Sequence, residues 1–379
     1  MMKRIHPEHE RKYTLSNSQN ENYKIYTLSL IQNDCETLKK IMYQFNDPVF
    51  WMELVTYMAL FCRSLQEYYD IPMISEEIDS EIYDIRNSVK LYGERYGKSK
   101  KQFLESDETQ DEEFRNMLRF DWGKERNIHY NLGIYFTEDR KVIGNTQLIA
   151  NTLSLNGVYG RERSEKAQML GYYLRRIICM ASDVLAGFAT APCIELLDSM
   201  PVFYYKDMNT NREWDSIFYA SVDKDANLFM LHILCSINYV KYVLEPLFPN
   251  ENVWLFRIKY ITVYHAYMGM KRLKATMENN QTSMAVLIES LGSILENGEG
   301  LFTSKFRNCM MHYNLEKDGV FAISDDNFNE KKLFYGLIEE CFQGESYESY
   351  YAKISCLGSQ IEDFLTGQFK FDDIYLRKL

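Results

Sequence analysis

The scarcity of chain breakers constrains this sequence more than any other feature. Only 18 glycines and 7 prolines serve 379 residues. These two residue types punctuate turns, so their rarity favours long helices over many short strands. Apolar residues recur at helical spacing over 23–45, where Ile25, Leu28, Leu30, Ile31, Leu38, Ile41 and Met42 fall on one pattern. Similar patterns predict helices over 49–69, 75–96, 147–155, 161–200, 214–247, 252–277, 282–295, 329–342 and 347–369. Residues 97–101 read as a basic turn, and 102–119 as a helix broken by the acidic run 105–108. Two β-leaning runs, 133–136 and 141–143, flank a polar turn and predict a hairpin. A shorter β-leaning run follows at 319–323. The expected fold class is all-α, built as helical bundles with one or two small β-hairpin insertions.

Charge and cysteine usage exclude several classes. The formal net charge is −11, so the surface as a whole repels phosphate and does not suit a general nucleic-acid coat. A nuclease with one locally basic cleft remains compatible with that charge. None of the eight cysteines forms a C-x-x-C pair, which fits a reducing cytoplasm better than a disulfide framework. Residues 1–22 are polar and read as a flexible leader without a signal-peptide core. The stretch nearest to a membrane span, 177–197, contains Asp183, Pro192 and Glu195 and reads as a buried helix. There is no zinc-ligand spacing, no glycine-rich phosphate loop and no G-x-S-x-G elbow, so neither a metal nor a cofactor is expected.

One short motif occurs twice. Arg307-Asn308-Cys309-Met310-Met311-His312-Tyr313-Asn314-Leu315 is echoed by Arg126-Asn127-Ile128-His129-Tyr130-Asn131-Leu132. Both contain Arg-Asn, both close on His-Tyr-Asn-Leu, and they hold two of only six histidines. Helices, motif, small β element and helices follow in that order twice, with Pro201 between. This organisation predicts two related halves, 23–200 and 201–379. A histidine at a helix end can simply satisfy backbone groups, but the repeated setting favours function. His232 and His265 lie in apolar helical stretches and read as structural.

The residue types suit phosphodiester chemistry. A guanidinium forks onto phosphate oxygens and stays charged, and a histidine can move a proton near neutrality. RNA supplies its own nucleophile, the 2′-OH, so a base, an acid and charge stabilisation suffice. Asn308 can orient a water, a hydroxyl or the imidazole. Arg307 and His312 are five residues apart, about 140° round a regular helix, so they flank a face rather than share one. Arg126 and His129 lie about 60° apart, and Lys124 takes the five-residue place. Further basic groups are Arg161 and Arg163, Arg175 and Arg176 beside Tyr172 and Tyr173, and Lys271, Arg272 and Lys274. A solvated helix face accounts for each as readily as an RNA contact does.

Arg307-Asn308-x-x-x-His312 resembles the R-x(4–6)-H motif of the HEPN superfamily, in which a polar residue follows the arginine. The resemblance implies helical bundles with the motif near the start of a late helix. It also implies a metal-independent endoribonuclease of a toxin or antiviral-defence system, with the site formed where two HEPN domains meet. Arg307 and His312 would be catalytic and Asn308 would assist. Lys124, Arg126, Asn127 and His129 would form the opposite wall, supported by Tyr130 and Tyr313. Arg126-x-x-His129 is shorter than the family pattern, so the first half would be a degenerate copy. The implied partners are a single-stranded RNA or tRNA substrate, and a second copy of the chain or a cognate antitoxin or regulator. The alternative is a non-catalytic HEPN-like module that binds a protein or a nucleotide. An unrelated helical enzyme would instead show a deep pocket remote from both motifs.

Overall fold

A computed structural model of the chain describes residues 18–69, 76–88, 96–118, 122, 129–155, 158, 160–186, 192–198, 200–218, 223–279, 285–313, 315–317, 320–324, 326–372 and 374–379. Helix α1 (Ser18–Gln44) begins five residues earlier than expected, inside the predicted leader. Asp47 accepts from the Val49 backbone at 2.7 Å, and Pro48 opens α2 (Pro48–Tyr69). A proline loses nothing in a first helical turn. The middle of α2 is covered almost all round: Leu54, Met58, Ala59, Cys62, Leu60 and Phe61 are at most 3% exposed. Each large apolar side chain buried this way contributes about 1.5–3 kcal/mol.

Helices α3 (Glu76–Ser88) and α4 (Tyr96–Met117) follow. Two expectations fail in α4. The basic stretch 97–101 is its first turn rather than a loop, and the acidic run 105–108 does not break it. The reason is tertiary. Ser99, Phe103, Ser106 and Asp107 are at most 2% exposed, and Lys100 pairs with Asp225. Strands β1 (Leu132–Thr137) and β2 (Val142–Asn145) form the expected hairpin, with Arg140 at φ 58° in its turn. Asn145 then caps α5 (Thr146–Thr152) by accepting from the Leu148 backbone.

Helix α6 (Gly160–Leu185) stops well short of residue 200. Strand β3 (Phe203–Met208), not expected from the sequence, pairs antiparallel with β1 from Leu132↔Met208 to Thr137↔Phe203. A single helical turn at Trp214–Ile217 precedes α7 (Lys224–Asn238), which runs on through a π turn and a 3-10 turn to Leu247. Helices α8 (Val253–Asn279), α9 (Ala285–Asn297) and α10 (Ser304–His312) lead to a minimal hairpin of β4 (Glu316–Lys317) and β5 (Val320–Phe321). The expected helix over 329–342 reduces to a 3-10 turn and α11 (Leu337–Cys341). Phe334, Tyr335 and Gly336 take positive φ there, which no continuous helix allows. Helix α12 (Tyr347–Thr366) and strand β6 (Arg377–Lys378) complete the chain, β6 adding to the sheet in the order β2-β1-β3-β6.

The architecture is mainly α with a small antiparallel sheet, as the breaker count implies. Buried residues from Leu28 to Phe371 form one continuous apolar cluster. The two expected halves therefore share a core, and the β1–β3 pairing crosses the boundary at 200/201. Among the described residues one helical stretch, Lys224–Leu247, is long and apolar enough to cross a membrane, and 83% of its apolar window is buried inside the protein.

Candidate functional site

Helix α10 carries the second motif, and its ends are fixed locally. Thr303 is its N-cap, accepting from the Phe306 backbone at 3.2 Å. Phe306, Cys309 and Met310 recur at helical spacing and turn inward with Met311. The fully buried Phe306 ring packs against Tyr260 at 4.9 Å, Phe342 at 5.2 Å and Tyr350 at 5.6 Å. Ser64 of α2 donates to the Met311 carbonyl at 2.7 Å. Burial pushes the Cys309 thiol up to about 12, so it stays protonated and inert. The outward positions are Arg307 and His312, both half-buried, and Asn308, which is exposed.

The end of α10 is held by a buried ionic cluster. Tyr313 adopts the left-handed conformation, φ 55°, at a cost of about 1–2 kcal/mol for a side chain of this size. Its hydroxyl donates to Asp34 Oδ2 at 2.6 Å, and Arg257 Nη1 lies 3.1 Å from the same oxygen. The Arg257 guanidinium also sits 3.8 Å from the Tyr313 ring centroid. Asp34, Arg257 and Tyr313 are all at most 2% exposed. Burial raises the Asp34 carboxyl above its ordinary value, while Arg257 and Tyr313 pull against that rise. Tyr313, the residue after His312, is thus anchored in the core.

Among the described residues Arg86, at the end of α3, meets His312. Its Nη2 lies 3.4 Å from His312 Nε2, and Arg86 itself is 3% exposed. A guanidinium can only donate, so this contact requires an acceptor lone pair on Nε2. Arg307 is placed differently. It lines a groove of about 490 Å³ between α8 and the turn leading into α10, whose lining does not include His312. Arg307 and His312 therefore present to two neighbouring places on one helix, as their angular separation implies. A separate small pocket of about 30 Å³ lies by the end of α3, lined by Glu53, Tyr57, Ser88, Ser236, Thr262 and His265 among others. It has room for a water or two, and burial lifts its Glu53 carboxyl to about 8.

The first motif is built for another task. Lys124, Arg126 and Asn127 lie outside the described residues, as does Asn314 of the second motif. His129 is buried, with Nε2 2.7 Å from Asp111 Oδ1 and 3.1 Å from Asn209 Nδ2. Asn131 donates to Thr210 Oγ1 at 2.8 Å and accepts from the Thr210 backbone at 2.8 Å. Both reach Asp107, whose carboxylate also takes Gln147 Nε2 at 2.6 Å and Lys224 Nζ at 2.5 Å. Asp107 is 2% exposed although it belongs to the acidic run 105–108. The network joins α4, β1, the turn after β3 and α7. Tyr130, between the two buried residues, is 51% exposed.

The remaining basic clusters divide in the same manner. Arg161 and Arg163 pair with Glu165 and Glu113, and Arg175 stacks over Trp51. Lys271 alone of these enters the groove beside Arg307. His232 is a core residue, its Nδ1 2.9 Å from Asn145 Nδ2, and burial lowers its pKa to about 3. Among the described residues no three His, Cys, Asp or Glu side chains gather as a metal site would require. Arg86 is the residue that motif reading missed. Its one sequence signal is Arg86-Asn87, a further Arg-Asn pair. Compared with known proteins, the chain matches no family model, no curated protein and no solved structure.

Proposed function

We propose that the chain is a HEPN-type endoribonuclease whose proton-transferring group is His312. The observation that carries this reading is the Arg86 guanidinium set against the half-buried imidazole, 3.4 Å from Nε2. An RNA phosphate entering there would draw the guanidinium onto its oxygens and release the Nε2 lone pair. His312 would then take the 2′-OH proton as that oxygen attacks the adjacent phosphorus. Arg86 would stabilise the charge developing on the phosphoryl oxygens. The bond to the 5′-oxygen breaks, that oxygen takes a proton from solvent, and the products are a 2′,3′-cyclic phosphate and a 5′-OH end. The role that the sequence gives to Arg307 is thus shared: Arg86 serves the scissile phosphate, and Arg307 with the exposed Asn308 serves its neighbour on the strand. A toxin or defence setting belongs to the same proposal.

The test is cleavage of single-stranded RNA and tRNA in EDTA by wild type, Arg86→Ala, Arg307→Ala and His312→Ala. Loss of activity in His312→Ala and Arg86→Ala, with cyclic-phosphate ends from wild type, is expected. Equal activity in all four proteins removes the mechanism. The non-catalytic alternative is favoured by one feature, that Arg86 already engages the imidazole nitrogen. It predicts binding with no cleavage by wild type.

A further inference from the structure

We infer that the groove beside Arg307 seats one nucleotide of a single strand, taking a stacked base on its aromatic wall and a phosphate between Lys271 and Arg307. This rests on the nuclease reading for the identity of the strand; the chemistry of the groove stands by itself. One wall is a single face of α8, since Tyr264, Tyr267, Met268 and Lys271 follow at helical spacing. The other wall is the α9–α10 turn with the first turn of α10, contributing Phe302, Thr303, Ser304 and Arg307. A volume of about 490 Å³ falls within the usual range for ligand sites, about 300–1,000 Å³.

The aromatic wall is rigid. Phe302 lies 5.3 Å from Tyr264 and 5.2 Å from Tyr267, centroid to centroid. The Tyr267 hydroxyl donates to the Leu295 carbonyl at 3.1 Å. A Cβ on Gly298 would stand 2.3 Å from the Tyr267 ring, so this position admits only glycine. Gly300 takes φ +77°, which lets the turn reverse toward Phe302. Tyr264 and Phe302 are half-buried, so ring surface remains at the groove. Aromatic faces accept any base, because every base has a π-face.

Charge adds the second half of the argument. Among the described residues that line the groove, Lys271 and Arg307 face one carboxylate, Glu299, and the positive end of the α10 dipole opens on the same side. This local excess of positive charge stands out in a chain of net charge −11. The spacing also fits a strand that continues to His312. Five residues of helix rise about 7.5 Å, on the order of the gap between one phosphate and its neighbour on a strand. A strand crossing α10 can therefore put one phosphate at Arg307 and a later one at Arg86 and His312.

The experiment titrates a fluorescent 2′-O-methyl oligoribonucleotide, which cannot be cleaved, into the full chain and its variants, with AMP as competitor. Tyr264→Ala is expected to weaken binding about tenfold or more, and Tyr264→Phe to keep it. Lys271→Ala should lower the slope of log K against log salt by about 0.7, the value for one phosphate on a single strand. An oligomer that binds Tyr264→Ala and Lys271→Ala as wild type overturns the inference, even if wild type cleaves RNA. AMP competing at the oligomer's own concentration overturns the strand as occupant, because the site then holds a free nucleotide. Binding lost in both variants while wild type fails to cleave any RNA supports the groove and removes the nuclease reading instead.

Discussion

The two His-Tyr-Asn-Leu settings share four letters and almost nothing else. Around residue 129 the histidine and the asparagine turn inward, and the tyrosine faces solvent. Around residue 312 the tyrosine is the buried member, and the histidine stands half-exposed beside Arg86. The element that bears the motif decides which side chain does which job. The first precedes a strand, where alternate residues share a face, so His129 and Asn131 point the same way. The second ends a helix, and beyond the left-handed turn at Tyr313 the ring packs in the core against Phe61 and Arg257. A repeated string thus fixes chemistry only when its backbone repeats too.

The sharpest way to break this comparison is to remove each histidine in turn. His312→Ala should lower RNA cleavage about 10²–10⁴-fold, the usual share of a proton-transferring group, and leave urea unfolding nearly unchanged. His129→Ala should do the reverse, keeping cleavage and costing about 1–3 kcal/mol, because Asp111 and Asn209 lose their partner. Matching activity losses in the two variants, at unchanged stability, would mean that the settings are equivalent after all.

Removing the buried acids separates the settings further. Asp34→Ala strands the buried Arg257, at about 3–5 kcal/mol in chemical denaturation, and Asp107→Ala leaves Asn131, Gln147 and Thr210 without their shared acceptor, at about 1–3 kcal/mol. Only Asp34→Ala should also impair cleavage in the folded protein, because Asp34 anchors Tyr313, the residue after His312. A gentler probe is Tyr313→Phe, which removes one hydrogen bond to a charged group and should cost about 1.5–3 kcal/mol. Its cleavage rate should fall less than that of Asp34→Ala, since the ring still fills its place.

The smallest effect depends on pH. Hydrogen bonds from Asn327 and Ser324, with Lys305 of α10, hold the Glu340 carboxyl down at about 2. A lowered folded value means that the contribution is present above the unfolded value near 4.5 and is lost as pH falls toward 2. Glu340 is partly open to solvent, so about 1 kcal/mol is the expected size. Glu340→Gln should therefore be less stable than wild type at neutral pH and equal to it at about pH 2. A constant difference across that range would show that charge is not the source.

Local signals carried much of this fold. Helices α2, α8 and α12 were legible because their apolar residues recur along most of their length, and the β1–β2 hairpin because a polar turn separates two β-leaning runs. Some failures are long-range: Asp107, in an acidic run, is buried only because its partners at 131, 147, 210 and 224 come together around it. Strand β3 has a local signal, the Val202-Phe203-Tyr204-Tyr205 run after Pro201, and β1 gives it an edge to pair with. Within the site, Arg307, Asn308 and His312 were visible as a motif. The approach of Arg86 depends on where α3 ends against α10, which no periodicity records.

The clamp on Tyr313 also sets an order of events during synthesis. Asp34 leaves the ribosome early, yet the hydroxyl that it accepts from belongs to a residue 279 positions later. Until Arg257 and Tyr313 arrive, burying that carboxylate would be costly, and α1 must keep this part of itself in water. The last turn of α10 consequently cannot settle before residue 313 has been made. His312 and Arg86 therefore come together in their final arrangement only after most of the chain has been made.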